Sequence, residues 1–361
     1  MIQAIPTLNP PRDARVAILL LLLALPLTGQ EETIFRANTT LATVSFHVVR
    51  DKHYVDDLKP QDLLLLEDGS PRIITFFEGG RSRQRTTAVE IALLFDISGS
   101  VIDEGLLDMT TWKSAFLASL PDASLAVYGF AAGLLRFCPP TRDPQQLEAA
   151  FNSVLKTTHA GPKVTPLKIP LTLPPKRKSN PNGGTWIYEA VIGAINDLAI
   201  RPGKSTRLIV IFSDGFPTTT SVPEDAARVA RDAGVAIYPV ALGHWRIVDK
   251  EREVAPLLNG NPARPNEGAQ RRMDALRMQE QEILEFASLG ELTGGRSFDP
   301  PMMNSDMLRR ITGSLVGSVL TEYVIGFTPE TSDNPAKHKL VVKLASKETG
   351  KLQGGTRTIV H

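Results

Sequence analysis

Hydroxyl and carboxyl side chains are concentrated in three short stretches of the chain, where they could hold a metal cation. The stretches are residues 96–100 (Asp-Ile-Ser-Gly-Ser), 183–185 (Gly-Gly-Thr) and 213–215 (Ser-Asp-Gly). Donors of this kind suit Mg²⁺, Mn²⁺ or Ca²⁺ and provide no soft ligand for zinc or copper. Two carboxylates nearly neutralise a divalent ion, so an incompletely filled site would favour an anionic ligand group, typically a carboxylate. The candidate metal ligands are two carboxylates and three hydroxyls, from Asp96, Ser98, Ser100, Thr185 and Asp214.

Two of these stretches follow apolar runs that are typical of buried strands, Val89–Phe95 and Leu208–Phe212. From residue 88 onward, strand-like runs alternate with helical patterns. This alternation predicts an α/β fold, a doubly wound and mostly parallel sheet flanked by helices. Ligands of such sheets bind in the loops at the carboxyl ends of the strands. If the two strands are neighbours, the three stretches converge on one site.

Further elements are predicted in the same region. A capping box at Ser221–Glu224 should open a helix that ends at Gly234. The basic, proline-rich segment 159–180 is predicted to form no regular element, and the segment 245–267 is a polar insert that contains proline and glycine and leads into a helix. Other strands are expected at Leu125–Phe130, Leu134–Phe137 and Val235–Leu242, and other helices at Glu104–Leu120, Gln145–Leu155, Trp186–Ile200, Ala269–Leu289 and Asn304–Leu320.

Both flanks of the α/β region have strand patterns. Residues 31–86 contain the runs Thr43–Val48, Leu63–Leu66 and Ile73–Phe77, with a hairpin turn at Glu67–Ser70, which predicts a small antiparallel β module. The tail, 321–361, returns to strands but has too little area for a core of its own. We therefore expect it to complete the N-terminal module as a small β-sandwich, with the α/β domain at 87–320. The strands expected in the tail are Tyr323–Phe327, Lys339–Leu344 and Gly355–Val360.

The first 30 residues have the layout of an export signal. Arg12 and Arg15 form a basic start, and the apolar run Val16–Leu27 is followed by small and polar residues at 28–30. The run is shorter than the roughly 20 residues that a bilayer span needs. We expect residues 1–30 to be a cleaved signal peptide and the protein to be periplasmic or extracellular. An uncleaved signal would be its only membrane anchor.

The composition limits the classes of function. The chain has 361 residues, of which 42% are hydrophobic and 22% are charged, as in ordinary globular proteins. A net charge of +1 gives no argument for nucleic-acid binding. Cys138 is the only cysteine, so no internal disulfide can form, and it is predicted to be a core residue.

The three stretches together resemble the von Willebrand factor type A domain. That family has D-x-S-x-S, a threonine before a helix, and an aspartate after a strand at its metal-ion-dependent adhesion site. The resemblance implies that Ser98, Ser100 and Thr185 are hydroxyl ligands and that Asp96 and Asp214 are carboxylate ligands of a divalent cation, most often Mg²⁺. It further implies a binding protein and not an enzyme, whose protein partner presents Asp, Glu or another anionic group.

The flanks resemble a narrower group. The segments Leu289–Arg296 and Tyr323–Pro329, together with the strands before the α/β domain, are similar to those of the exported bacterial VWFA-related family, prominent in acidobacteria. The basic segment 159–180 and the segment 245–289 depart from a minimal type A domain.

Other functions remain open from the residues alone. Asp96 could be a nucleophile of the haloacid dehalogenase type, although that pattern has a second Asp where this chain has Ser98. A serine hydrolase would need a histidine base, and only His244 follows a strand end at the right edge. Ser98 and Ser100 could also merely cap a helix, and Asp214 could merely bond loop amides, in a structural envelope protein.

Overall fold

The computed structural model describes residues 41–51, 53–80, 88–107, 123–154, 162–172, 184–200, 205–258, 266–300, 305–329 and 336–361. The strands in these ranges are β1 (Ala42–Arg50), β2 (His53–Tyr54), β3 (Leu63–Glu67), β4 (Ser70–Arg72), β5 (Phe76–Glu78), β6 (Ala88–Asp96), β7 (Ala123–Ala131), β8 (Gly133–Thr141), β9 (Leu167–Ile169), β10 (Ser205–Ser213), β11 (Val235–Ala241), β12 (Tyr323–Phe327), β13 (Lys337–Leu344), β14 (Lys351–Gly354) and β15 (Thr356–Val360). The helices are α1 (Gly99–Asp103), α2 (Pro144–Val154), α3 (Ile187–Ala199), α4 (Pro223–Ala233), α5 (His244–Leu258), α6 (Glu267–Thr293) and α7 (Ser305–Thr321).

The strands that precede the candidate ligands lie side by side in a six-stranded sheet. Its order is β11-β10-β6-β7-β8-β9. The first four strands are parallel, and β8 and β9 continue the sheet antiparallel. Phe95 of β6 is in register with Phe212 of β10, so the two strands end together. The predicted doubly wound, mostly parallel sheet is confirmed, as is the proximity of the two strands on which the site depends.

The central strands are apolar on both faces because each face is covered by a separate core. Leu93 and Phe95 belong to one core, and Ala92 and Leu94, which alternate with them, belong to the other. The rings of Phe95 and Phe212 stack with centroids 5.0 Å apart. Such a pair contributes about 1 kcal/mol beyond the area it buries. The strand ends that position the candidate ligands are therefore rigidly packed.

The two ends of the described chain pair with each other in a β-sandwich. One sheet has the order β14-β1-β12-β5, with β2 on the edge of β1, and the other has the order β15-β13-β3-β4. Val44 is in register with Ile325, and Leu65 with Val342. These four side chains are buried in one core between the sheets. The prediction of a β-sandwich module from the N- and C-terminal segments is confirmed.

A buried histidine joins this β module to the α/β region. His47 of β1 has Nδ1 3.1 Å from the carbonyl oxygen of Gly294 and Nε2 2.7 Å from that of Ser318. Carbonyl oxygens only accept hydrogen bonds, so a ring nitrogen of His47 that carries an N–H donates to the carbonyl oxygen it faces. Beside it, the hydroxyls of Tyr54 and Ser318 are 2.6 Å apart. The junction is therefore specific and polar.

Glycines bring two backbones into close contact at the same junction. A Cβ on Gly294 would lie 2.8 Å from Cα of Gly354, and a Cβ on Gly295 would lie 1.9 Å from the carbonyl oxygen of Ile237. Gly294 also ends α6 with a φ of 84°, a left-handed conformation that favours glycine. The Gly-Gly pair in the segment 289–296 is thus required by packing between α6, β11 and β14.

Several local predictions are wrong. The segment 245–267 contains helix α5, because Ile247 and Val254, two turns apart, are both buried in the core, and this burial offsets the backbone hydrogen bond that Pro256 removes from the last turn. The segment 159–180 contributes the short strand β9, which extends the sheet beyond β8.

The predicted capping box is also wrong. The N-cap residue of α4 is Val222, and the Ser221 hydroxyl donates instead to Oε1 of Glu189 at 2.6 Å. The predicted strand at Ile73–Phe77 is split, since β4 ends at Arg72 and β5 begins at Phe76.

Some predictions lie outside the described residues. They concern the signal peptide at 1–30, Gly183, and all but the start of the helix at Glu104–Leu120. Cys138 is a buried core residue, as the sequence predicts. Within the described ranges, no helix is both long and apolar enough to cross a membrane.

Candidate metal centre

The first candidate ligands lie on the turn between β6 and α1. Asp96 is the last residue of β6 and is fully buried. Its Oδ1 accepts a hydrogen bond from the backbone N–H of Ser98 at 2.9 Å, while the N–H of Ile97 bonds to the carbonyl oxygen of Phe130 on β7. These bonds fold the chain back at the strand end and direct the residues after Asp96 over the edge of the sheet.

The second carboxylate belongs to the loop that follows β10. Ser213 donates from Oγ to Oδ2 of Asp96 at 2.6 Å, which ties the ends of the two strands together. Ser100 donates from Oγ to Oδ2 of Asp214 at 2.6 Å, and the hydroxyls of Ser98 and Ser100 are 3.2 Å apart. Asp96, Ser98, Ser100 and Asp214 thus belong to one hydrogen-bond cluster.

The fifth residue reaches the cluster from the chain before α3. Ser98, Ser100 and Thr185 line one open cleft of about 430 Å³, together with Gly99, Gly184 and residues 131–132. The backbone of Thr185 is held in place by Thr218, whose Oγ1 accepts from the Thr185 N–H at 2.8 Å and whose own N–H bonds to the Thr185 carbonyl oxygen at 2.9 Å. The structure therefore brings all five predicted residues to one edge of the sheet.

The cluster is electrostatically unfavourable without a cation. Burial, together with the nearby charge of Asp214, raises the pKa of Asp96 from 3.8 to about 6, although hydrogen bonds from Ser213 and Ser98 oppose the shift. Burial and the charge of Glu104 likewise raise the pKa of Asp214. Among the described residues that line the cleft, none supplies a positive charge to these two buried carboxylates.

These donors fit a hard divalent cation. Carboxylate and hydroxyl oxygens are the ligands that Mg²⁺, Mn²⁺ and Ca²⁺ prefer, and a dipositive ion would offset both buried charges. The cleft is open to solvent on the side of Ser98, Ser100 and Thr185, so coordination positions on that side are available to an outside oxygen.

The competing interpretations fit the geometry less well. Ser98 is the N-cap residue of α1 but makes no side-chain cap bond, and the Ser100 hydroxyl bonds to Asp214. Asp214 does accept from a loop amide, that of Phe216, at 3.3 Å. As a nucleophile, Asp96 would need contact with substrate, yet it is fully buried and both its oxygens accept hydrogen bonds. His244 bonds through Nδ1 to Asp299 at 2.6 Å and does not line the cleft.

Sequence reasoning missed three residues that support the site. Ser213 bridges to Asp96, and Thr218 holds Thr185. Glu189 of α3 is buried and accepts hydrogen bonds from the hydroxyls of Thr219 and Ser221, which anchors the loop after Asp214. Glu189 lies four residues after Thr185, and a carboxylate in the first turn of the helix, among the buried residues Ile187, Tyr188, Ala190 and Val191, was the available signal.

The strand order, the antiparallel edge strands and the three converging loops match what the sequence resemblance implies. The fold is von Willebrand factor type A-like. No family model matches the chain, and no curated protein matches it.

Solved structures with similar coordinates include von Willebrand factor type A from Catenulispora acidiphila, with 11% identity over 89% of this chain and 72% of that one, at a TM-score of 0.38. BatB from Bacteroides thetaiotaomicron has 13% identity over 63% of this chain and 97% of that one, at a TM-score of 0.36. Proximal thread matrix protein 1 from the mussel byssus, with a zinc-occupied MIDAS motif, has 15% identity over 67% of this chain, at a TM-score of 0.38.

The chain spans 47% of the mussel protein it matches, about half its length. All these TM-scores are below 0.5, so the type A-like assignment rests on the strand order and loops of this chain.

Proposed function

We propose that this protein is a metal-dependent, adhesion-type binding module. Asp96, Ser98, Ser100, Thr185 and Asp214 hold a divalent cation, with Mg²⁺ as the principal ion and Mn²⁺ or Ca²⁺ as alternatives. The observation that carries the proposal is the cluster at the sheet edge, in which two buried carboxylates of raised pKa meet three hydroxyls beside an open cleft. A cation is the simplest group that neutralises this cluster.

The partner supplies the missing ligand. The cleft is lined by hydroxyls and backbone and has no charged lining residue among those described, so an incoming Asp or Glu, or another anionic group, would find its attraction in the cation. Its oxygen would complete the coordination of the ion. The burial of Asp96 favours this binding role over hydrolysis or phosphate transfer through a covalent aspartyl intermediate.

We further propose that the protein is exported and belongs with the VWFA-related proteins of bacteria. The basic, apolar and polar order of residues 1–30 supports a secretory signal. The β module supports the narrower resemblance, because strands before and after the α/β region pair directly, as in Ala42 with Phe327.

Metal binding is tested by thermal unfolding of the protein with and without Mg²⁺ or Mn²⁺. A ligand at about 100 times its Kd stabilises the folded state by about 2.7 kcal/mol. We expect this gain in wild type and none in Asp96→Ala. No metal-dependent shift in wild type, together with no metal by elemental analysis, would disprove the site.

Partner binding is tested by retention of envelope proteins on the immobilised protein in Mg²⁺ or in EDTA. A partner that binds through the ion is retained by wild type in Mg²⁺ only, and not by Asp214→Ala. Retention that is the same in EDTA and with Asp214→Ala would favour a structural role. Turnover of phosphate esters or haloacids that depends on Asp96 would favour an enzyme.

A further inference from the structure

A second group of metal-ligating side chains lies in the β module, away from the candidate metal centre. Glu67 ends β3, His338 lies in β13, and His361 follows β15. One ligand atom from each lies within 4.8 Å of the other two. We propose that Glu67, His338 and His361 form a transition-metal site, of which Zn²⁺ is the principal occupant.

The two imidazoles converge on one carboxylate oxygen. Nε2 of His361 is 2.5 Å from Oε1 of Glu67, and Nδ1 of His338 is 3.9 Å from the same oxygen. In a tetrahedral zinc site with bonds of about 2.0–2.1 Å, neighbouring ligand atoms are about 3.4 Å apart. The two observed separations lie on either side of that value, so small side-chain rotations suffice to admit an ion.

Neighbouring residues fix the orientation of these three side chains, as residues that contact metal ligands commonly do in metal sites. Arg72 donates to Oε2 of Glu67 at 2.6 Å, so Oε1, which faces both histidines, is the oxygen that would coordinate the ion. The rings of His338 and His361 stack at 4.3 Å, and Phe327 packs edge-on against His361. Ligating carboxylates and imidazoles are typically fixed in this way by a second layer of contacts.

A fourth ligand is within reach. Oδ2 of Asp68 lies 2.9 Å from Nδ1 of His338, and its Oδ1 accepts from the backbone N–H of Lys339 at 2.8 Å.

The donor set differs in kind from that of the candidate metal centre. Two imidazoles with one or two carboxylates suit Zn²⁺, Ni²⁺ or Co²⁺, whereas Mg²⁺ prefers oxygen ligands alone. The ion would join β3 to β13 and to the residue after β15, which lie side by side in one sheet but come from distant parts of the sequence. It would thus fasten the C-terminal strands of the β module to its N-terminal strands.

The test is calorimetric titration of Zn²⁺ into the untagged protein carrying Asp96→Ala, so that the other site does not contribute. We expect one equivalent of Zn²⁺ to bind, at least a tenfold loss of affinity with either His338→Ala or His361→Ala, and no change with His53→Ala. His53 is the matched control because it is exposed and lies on β2 of the same module. The Zn²⁺ complex should also unfold a few degrees higher than the metal-free protein.

A spectroscopic test does not depend on the stability of the variants. Co²⁺ bound to wild type should show the visible absorption bands of nitrogen and oxygen coordination, and Zn²⁺ but not Mg²⁺ should displace it. Binding that persists in a folded His338→Gln, His361→Gln double variant overturns the proposal. So does the absence of both Zn²⁺ binding and Co²⁺ absorption in wild type.

Discussion

The hydroxyl of Ser100 donates to Asp214 over 2.6 Å and so connects the loop after β6 with the loop after β10. Between them lie 114 residues of sequence. The contact is possible because the two strands are adjacent and parallel and end together. In the proposed site, the same two oxygens would turn from each other toward the cation.

Removal of this hydroxyl should weaken metal binding more than folding. Ser100→Ala deletes one proposed ligand and one hydrogen bond to a carboxylate, so we expect at least a tenfold loss of Mg²⁺ affinity and a loss of stability of about 1–2 kcal/mol. Calorimetry and chemical denaturation measure the two effects. Ser288→Ala, on α6 outside the cleft, is the control and should change neither. Unchanged Mg²⁺ affinity in Ser100→Ala would remove Ser100 from the ligand set.

The pH dependence of stability should reveal the cost of burying the charged Asp96 carboxylate. The pKa of Asp96 is about 6 in the folded protein and near 3.8 when unfolded, so the folded state holds the proton more tightly between these values. In EDTA, this group therefore lowers the free energy of unfolding as pH rises from about 4 to about 6, by on the order of 3 kcal/mol. The effect of Asp214, whose pKa is also raised, has the same sign.

Asp96→Asn isolates this contribution. An amide keeps the acceptor for the Ser98 N–H but carries no charge, so the variant should lose this part of the pH dependence and be more stable than metal-free wild type at pH 7. It should also lose the response to Mg²⁺. Denaturation of both proteins in EDTA from pH 4 to 7.5 measures the difference between them. A difference that does not grow toward pH 7 would contradict the assigned charge state.

The position of Thr185 should depend on a glycine. Gly184 has a φ of 131°, and a Cβ there would lie 2.3 Å from Oγ1 of Thr218, the atom that holds Thr185. Gly184→Ala should therefore displace Thr185 and lower Mg²⁺ affinity about tenfold or more. The matched control is Gly133→Ala, since a Cβ on Gly133 would meet nothing within 4 Å. Calorimetric titration that gives equal affinities for the two variants would show that Thr185 is not placed by this contact.

The junction through His47 should contribute substantially to stability. His47→Ala removes the buried hydrogen bonding between β1 and the carbonyl oxygens of Gly294 and Ser318 and opens a cavity, so we expect a loss of about 2–4 kcal/mol. His53→Ala, at an exposed position six residues away, should cost less than about 0.5 kcal/mol. Equilibrium denaturation followed by far-UV circular dichroism provides both values. Equal effects of the two substitutions would mean that the junction adds no stability.

Sequence pattern alone predicts the sheet and the five candidate ligands because both depend on local signals. Val89–Phe95 and Leu208–Phe212 are mostly apolar runs with an aspartate one or two residues after their ends, and the carboxyl ends of parallel strands lie at the same edge of a sheet. Local sequence signals do not predict the roles of Thr218 and Glu189. Their roles arise from loop contacts across 30 or more residues, which no periodicity encodes.

The errors have similar causes. Ser221 has the sequence context of a helix cap, but a buried carboxylate, Glu189, competes for its hydroxyl. Pro256 suggests a loop, yet the burial of Ile247 and Val254 favours a helix despite the backbone hydrogen bond that proline removes. The sequence does not predict the cluster of Glu67 with two histidines. His338 is 271 residues after Glu67 and His361 a further 23 residues on, and the three meet only through strand pairing.

The pairing of β1 with β12 and β14 determines when the module can form. Val44 finds its partner Ile325 only after most of the chain has been made, whereas β6, β7, β10 and β11 of the larger sheet all precede residue 242. Contacts so distant in sequence close late and slowly. The strand Ala42–Arg50 therefore stays unpaired, with its apolar face exposed, until the C-terminal strands have been made. We expect its pairing with these strands to be the final step of folding.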